Sequence, residues 1–133
     1  MAIEAMDGLE QKAEDKLYTE HDIKTHADNG QESLRVYGNA IANILISNNP
    51  SGTRSELEIL EQALASEDEV VLAELDPIIA GYKGMNKGLL NLIVPTQVAG
   101  AHLDLINVIE AVTNDIIAMR EVFTDPLLSL IHI

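Results

Sequence analysis

Apolar side chains recur every three or four residues between Pro95 and Pro126, which is the spacing of one face of an α-helix. At about 100° per residue, they fall within a stripe roughly 100° wide. The stripe comprises His102, Leu105, Ile109, Val112, Ile116, Met119 and Phe123. Small or polar residues occupy the opposite face: Asn107, Ala111, Asn114, Ala118 and Glu121. Because such a stripe is unstable in water, we expect the rest of the chain to supply helices that cover it.

The same periodicity predicts helices over residues 31–47, 54–65, 67–92 and 97–123. A Pro-Gly turn after residue 48 ends the first helix, and Ser66 with Glu69 has the spacing of a capping box that restarts the third. Residues 1–29 predict an acidic, loosely docked helix and then a loop that runs from Tyr18 to the turn residues around Asn29. The apolar positions of that helix form a thin stripe: Ile3, Met6, Leu9, Ala13 and Leu17.

Pro77 lies inside the third predicted helix. It either starts a new helix or bends a continuous one at a cost of about 3 kcal/mol. Apolar residues keep the same three- and four-residue spacing on both sides of Pro77, which favours a kinked continuous helix. Gly81, Gly84 and Gly88 follow on one strip of that helix. They indicate either close approach of a neighbouring helix, which we prefer, or a tolerated weak helix. The pattern as a whole predicts an all-α, antiparallel bundle of about four helices over residues 30–127.

Composition narrows the possible partners. The chain has 8 Lys and Arg against 22 Asp and Glu, a formal net charge of −14. Nucleic acids and anionic membranes are bound through basic patches, so neither is expected as a partner. The acidic balance favours a solvated surface or a cationic partner. Aromatic residues are only 3% of the chain and Cys is absent, so we expect an aliphatic core without disulfide or thiolate chemistry.

His102 is the leading candidate for a functional residue, because it lies on the apolar stripe near the start of the last helix. It could be a cofactor ligand or a pH-sensitive group, with Met85 or Met119 as a second haem ligand. The commoner role is a neutral core histidine bonded to a carbonyl or a polar neighbour. In that case Met85 and Met119 simply fill the core.

Other chemistry is weakly supported. No histidine follows a Glu by three residues, so the di-metal signature of helical bundles is missing. His21 and His26 lack a fixed ligand spacing and favour a solvated loop. Eight carboxylates lie between Ser55 and Asp76, and a hydrolase would need two of them as a buried pair. Neither a nucleophile elbow nor a phosphate-binding loop occurs. We therefore expect no enzyme activity, no metal and no cofactor.

Four stretches carry a resemblance to a known group of proteins. They are YGNA at 37–40, LDPIIAGY at 75–82, VP followed by AHLDLIN within 94–107, and residues 119–127. Through them, residues 30–127 resemble uncharacterised helical-bundle proteins of candidate-phyla (Parcubacteria-like) bacteria. The shared features concern packing and capping, so the resemblance implies a fold and no activity. It also implies a bacterial cell-envelope location, through an N-terminal apolar segment that this sequence does not contain.

Residues 128–133, LSLIHI, resemble the translated end of a transposon-derived sequencing adapter. On this interpretation the natural chain continues differently after Leu127, and His132 has no functional weight.

These observations predict a non-catalytic helical domain, structural or partner-binding, within a bacterial cell-envelope protein. Its partner would be another protein or a second copy of the chain. The alternative is a small-ligand or metal-binding bundle that uses His102 with carboxylates or Met85. A native mass and an absorption spectrum of the purified protein distinguish the two, because only the alternative predicts a bound species.

Overall fold

The structure is a computed structural model that describes residues 17–49, 55–66 and 69–124. The predicted N-terminal helix, up to residue 16, and the predicted non-native tail at 128–133 lie outside these residues. The elements in chain order are β1 Lys24–His26, α1 Gln31–Ser47, α2 Glu56–Ser66, α3 Glu69–Leu72, α4 Leu75–Asn91, β2 Ile93–Pro95 and α5 Ala99–Thr124. Two 3₁₀ turns, Glu20–Asp22 and Thr96–Val98, precede β1 and α5.

The described residues form a helical bundle with one small parallel sheet, which confirms the predicted all-α class in outline. α4 and α5 are antiparallel neighbours, because the residues of α5 that contact α4 have higher residue numbers as their partners on α4 have lower ones. The hydrogen-bonded or ion-paired partners are Leu89 with His102, Asn86 with Ile106, and Asp76 with Arg120. Two aliphatic clusters fill the bundle, one between α2, α3 and the start of α4, and the other between α4 and α5.

α1 has the predicted boundaries, since both of its ends are capped locally. The Asp28 carboxylate accepts a hydrogen bond from the Gly30 amide at 3.0 Å and positions Gly30 as the N-cap. At the other end, the Asn48 amide side chain donates to the Ile44 carbonyl at 2.8 Å. The first bond satisfies an amide that the helix start leaves without a partner. The second adds to the bond that the Asn48 backbone amide donates to the same carbonyl at 3.2 Å. The inner face of α1 packs against the α4–α5 cluster through Ile41, Ile44 and Leu45.

The predicted kink at Pro77 is wrong. The helix breaks before Pro77 is reached, where Ala73 and Glu74 form a turn, and α4 begins at Leu75, two residues before Pro77. Pro77 is therefore in the first turn of α4, where its missing N–H would have had no helical acceptor. The apolar phase continues through the break because residues on both sides, Leu72 and Leu75, are buried in one cluster.

The buried face of α5 differs from the predicted stripe by a rotation of about 50°, taking 100° per residue. The buried residues are His102, Ile106, Ile109, Thr113 and Ile116. Val112 and Met119, which the stripe included, are 38% and 42% exposed. The side chain of Phe123 is not among those that the structure describes. Thr113 could join the buried face because its hydroxyl donates to the Ile109 carbonyl at 2.6 Å.

The loop predicted for residues 18–29 instead contains β1, and the chain after Asn91 forms β2. The two strands pair in parallel, with Lys24 opposite Ile93 and His26 opposite Pro95. Three-residue strands show no usable alternation, and their pairing joins residues about seventy positions apart. The periodicity of a single sequence therefore could not predict the sheet.

The glycine strip of α4 lies against α1, which confirms the predicted close approach for two of its members. A Cβ atom on Gly88 would come within 3.0 Å of the Ile44 side chain. A Cβ atom on Gly84 would overlap the Asn48 side-chain oxygen. Because Gly88 faces Ile44 and Gly84 faces Asn48, α1 and α4 run antiparallel.

Gly84→Ala should lower the free energy of unfolding by about 1–2 kcal/mol, since the displaced Asn48 loses its cap bond to Ile44. The control is Gly38→Ala in α1, where nothing lies within 4 Å of the added methyl group. That change should stabilise the protein by up to about 1 kcal/mol through helix propensity. Urea unfolding followed by circular dichroism measures both. Equal shifts in the two variants would contradict the packing described for Gly84.

Candidate functional site

His102 is the centre of a buried hydrogen-bond line that joins three helices. It is 1% exposed. Its Nε2 lies 2.8 Å from the Leu89 carbonyl oxygen in the last turn of α4. Its Nδ1 lies 2.8 Å from the Tyr37 hydroxyl of α1. A carbonyl can only accept, so Nε2 carries the proton, and neutral Nδ1 accepts a hydrogen bond from Tyr37.

This environment favours neutral His102. Burial lowers its pKa below the ordinary value of 6.5, and the hydrogen bond to the Leu89 carbonyl opposes part of that shift. Burial also raises the pKa of Tyr37, so its hydroxyl keeps its proton and can donate. His102 therefore has the neutral, bonded geometry of a core histidine. To bind a ligand it would have to give up one of these two bonds.

Met85, the second candidate, lies in the aliphatic cluster of α4 and α5, where it is 8% exposed. Its neighbours in that cluster include Leu89, Ile106 and Ile109. The cluster gives Met85 the geometry of core packing. Across residues 17–49, 55–66 and 69–124, no three His, Cys, Asp or Glu side chains are grouped as a metal site would require.

One buried polar residue was missed by sequence reasoning. Asn86 is 4% exposed, and its amide nitrogen donates to the Ile106 carbonyl at 3.2 Å and to Glu110 at 3.1 Å. Its side-chain oxygen has no hydrogen-bond partner among the described residues. The amide joins α4 to α5 and so specifies how the two helices align. The only sequence signal was an Asn on the inner side of an otherwise apolar helix.

A groove of about 300 Å³ lies between α1 and the two-stranded sheet. Ile93 is the register partner of Lys24, and alternate residues of a strand point to the same face, so His26 and Ile93 share one face of the sheet. Both line the groove. The wall of α1 contributes Val36, Tyr37 and Ala40. The polar part of its lining, here called the rim, consists of Asp28, Glu32 and Ser33, which lie at or just before the start of α1.

The lining of the groove combines apolar side chains with the acidic residues of the rim. Val36 and Ile93 are 56% and 58% exposed, so two large aliphatic side chains present accessible surface to the same groove. Glu32 at the rim pairs with Arg35 one turn along α1, and this bond lowers the pKa of Glu32. Tyr37 connects the groove to the buried His102 through the hydroxyl bond described above.

Of the groove-lining residues, sequence reasoning weighed His26 as a candidate ligand, and it placed His26 in a solvated loop. Val36 could have been noticed as a large apolar residue outside the buried stripe of α1. Ile93 carried no comparable signal, because the groove exists only through the long-range pairing of β1 with β2. His21, the other histidine of the predicted loop, is exposed in the 3₁₀ turn before β1.

No protein-family model, no curated protein and no solved structure matches this chain. In the part of the chain that the structure describes, none of the helices combines the length and apolar character that crossing a membrane requires.

Tyr37→Phe should lower the free energy of unfolding by about 1–2 kcal/mol, because it leaves the buried Nδ1 of His102 without a donor. A double-mutant cycle with His102→Gln isolates the interaction, which should couple the two sites by about 1 kcal/mol. Chemical unfolding of the four proteins measures it. Additive losses would show that the two side chains do not interact.

His102 should also make stability depend on pH. Its folded-state pKa lies below 6.5, so between 6.5 and that lower pKa the unfolded chain binds a proton that the folded chain excludes. Stability from this group is complete above pH 6.5 and falls as the pH is lowered. Unfolding midpoints from pH 8 to about pH 5 should fall less steeply in His102→Gln than in the natural sequence. Parallel curves would refute this role.

Proposed function

We propose that this chain is a non-catalytic helical domain that binds a partner polypeptide in the groove between α1 and the sheet. The observation that carries the proposal is the pair of exposed aliphatic side chains, Val36 and Ile93, that line one concave surface. Contiguous exposed apolar surface with a polar rim is a common property of protein-binding sites. The volume of about 300 Å³ suits one or two side chains of a partner segment.

Charge supports a partner segment that is both aliphatic and basic. Asp28 and Glu32 lie at the rim, and the chain as a whole has a net charge of −14. An aliphatic side chain would bury Val36 and Ile93, while a neighbouring Lys or Arg would reach the rim carboxylates. A second copy of the chain is a poorer occupant, since two strongly acidic molecules repel each other.

The non-catalytic part of the proposal is supported by the state of the candidate residues. Both nitrogens of His102 have partners, and Met85 lies in the aliphatic core. His26 at the groove accepts a hydrogen bond from the Asp28 amide at 3.2 Å, so it is oriented as part of the turn before α1. The resemblance of residues 30–127 to helical-bundle proteins of candidate-phyla bacteria extends the proposal to a role within a bacterial cell-envelope protein.

Selection of random 12-residue peptides displayed on phage tests the proposal. Enriched peptides should contain aliphatic residues beside Lys or Arg. Binding should weaken by about tenfold or more in Val36→Lys, because a cation then occupies the apolar wall and opposes the basic residue of the peptide. Fluorescence polarisation of a labelled, selected peptide gives the dissociation constants.

Val108→Lys is the matched control, because Val108 is a helical valine with 59% exposure on α5, outside the groove. Its affinity for the peptide should equal that of the natural sequence. Failure to enrich any peptide would overturn the proposal. Equal weakening by Val36→Lys and Val108→Lys would also overturn it, because charge alone would then explain the loss.

A further inference from the structure

We propose that Asn29 is a site of spontaneous deamidation and that the reaction waits for the turn before α1 to open. Asn29 is the asparagine of this sequence that precedes a glycine, Gly30. The reaction begins with attack by the backbone nitrogen of the next residue, and glycine has no side chain to obstruct that attack. The inference concerns a covalent change in the chain itself, so it does not depend on the groove binding a partner.

The reaction consumes water and releases ammonia. The Gly30 nitrogen loses its proton and bonds to the side-chain carbon Cγ of Asn29, the Cγ–Nδ2 bond breaks, and ammonia leaves with the proton. Water then opens the resulting succinimide ring at one of its two carbonyl carbons. Attack at Cγ leaves an aspartate. Attack at the main-chain carbonyl carbon leaves an isoaspartate, whose backbone passes through the side chain and is therefore longer.

In the folded chain the side chain of Asn29 is held by the 3₁₀ turn before α5. Its oxygen accepts a hydrogen bond from the Gln97 amide at 2.9 Å, and its nitrogen donates to the Thr96 hydroxyl at 3.1 Å. The same nitrogen donates to the Ala27 carbonyl at 3.2 Å. Ring closure requires this side chain to turn its Cγ onto the Gly30 nitrogen, and the bonds to Thr96 and Gln97 oppose that rotation. Because these two partners lie far along the sequence, the tertiary fold is what protects Asn29.

The attacking nitrogen is engaged as well. The Gly30 amide donates a hydrogen bond to the Asp28 carboxylate at 3.0 Å. Loss of the amide proton would leave a negative charge beside that carboxylate, which is unfavourable. Asn29 and Gly30 are both exposed, so water reaches them in the folded chain. Opening of the turn, rather than access of water, therefore limits the reaction.

Deamidation would loosen the connection that Asn29 makes between the turn before α1 and the turn before α5. An ionised aspartate at this position has acceptor oxygens and no donor, so the bond to the Ala27 carbonyl is lost. An isoaspartate also lengthens the backbone between β1 and α1 and moves Gly30 from its place as the N-cap. Either product adds a negative charge next to Asp28. Because Asp28 lines the groove, a change in partner binding would follow, and that consequence alone rests on the proposed function.

Peptide mapping of the natural sequence tests both the site and its protection. Trypsin cleaves after Lys24 and Arg35, and the peptide of residues 25–35 has Asn29 as its one asparagine. Samples held at mildly alkaline pH in buffer and in guanidinium chloride are digested, and liquid chromatography with mass spectrometry measures the aspartate and isoaspartate forms. The folded chain should react at least about tenfold more slowly than the denatured chain, because several hydrogen bonds must first break. Equal rates, or a faster reaction in the folded chain, would overturn the proposal.

Thr96→Val should speed deamidation of the folded chain about fivefold, because it removes the hydroxyl that accepts from Asn29 and keeps the shape of the side chain. Thr25→Val is the matched control, since Thr25 is an exposed threonine of β1 and is not among the hydrogen-bond partners of Asn29 in the described residues. In guanidinium chloride both variants should react at the natural rate. Equal acceleration by both variants, or none by Thr96→Val, would contradict the protection assigned to Thr96 and overturn the proposal.

Gly30→Ala tests the attacking atom. It should slow the reaction about tenfold in guanidinium chloride, where folding plays no part, because the added methyl group hinders the nitrogen. An unchanged rate there would show that Gly30 is not the attacking residue and would also overturn the proposal. Circular dichroism identifies a variant that does not fold in buffer, and the comparison of the folded and denatured natural sequence then decides alone.

Discussion

The buried imidazole of His102 imposes the constraint on which the bundle depends. A buried polar atom that lacks a hydrogen-bond partner costs about 1–3 kcal/mol. The Leu89 carbonyl oxygen accepts a hydrogen bond from Nε2 of His102 at 2.8 Å, in addition to the one that it accepts from the Leu92 amide at 3.3 Å. The other imidazole nitrogen needs a donor, and Tyr37 of α1 supplies it. Both nitrogens of His102 are thus satisfied only if α1, α4 and α5 are all in place.

Asparagine side chains join distant segments of the chain on both sides of the small sheet. Strands of three residues are too short to be stable alone, so they need fixed ends. The side-chain oxygen of Asn29 accepts from the Gln97 amide at 2.9 Å and its nitrogen donates to the Thr96 hydroxyl at 3.1 Å. Asn107 holds Tyr18 on the other side of β1. An amide can donate and accept at once, so one asparagine suffices at each point. Asn29 holds the 3₁₀ turn before α5, and Asn107 holds Tyr18 to α5 itself.

The parts of the fold that the sequence predicted are those set by local chemistry. α1 has the expected boundaries because Gly30 and Asn48 cap it from within a few residues. The glycine strip indicated close packing because few other reasons place glycines one turn apart in a helix. The role of Pro77 was predicted wrongly, because the helical spacing of apolar residues is the same in a kinked helix and in two helices joined by a two-residue turn.

The parts that could not be predicted depend on contacts between distant residues. The buried face of α5 is set by where α4 and α2 lie, and it includes Thr113 and excludes Met119. The groove needs β1 and β2 to meet, and neither strand has a pattern of its own. For His102, the sequence left two roles open, and only the positions of Tyr37 and Leu89 distinguish between them. Patterns within one helix therefore identify which residues can be buried, while the neighbours decide which of them are.

Two of the exposed apolar surfaces of the described residues differ in shape, and this difference matters for binding. On α5, Val108, Val112 and Met119 lie on a convex helix surface, where a partner side chain can contact only a few atoms. In the groove, Val36 and Ile93 come from different elements and line one concavity. A side chain inserted there loses more of its water-exposed surface for the same length of partner chain. Because the acidic surface discourages association between copies, we propose the concave site as the one at which a cationic partner segment would overcome the loss of freedom on binding.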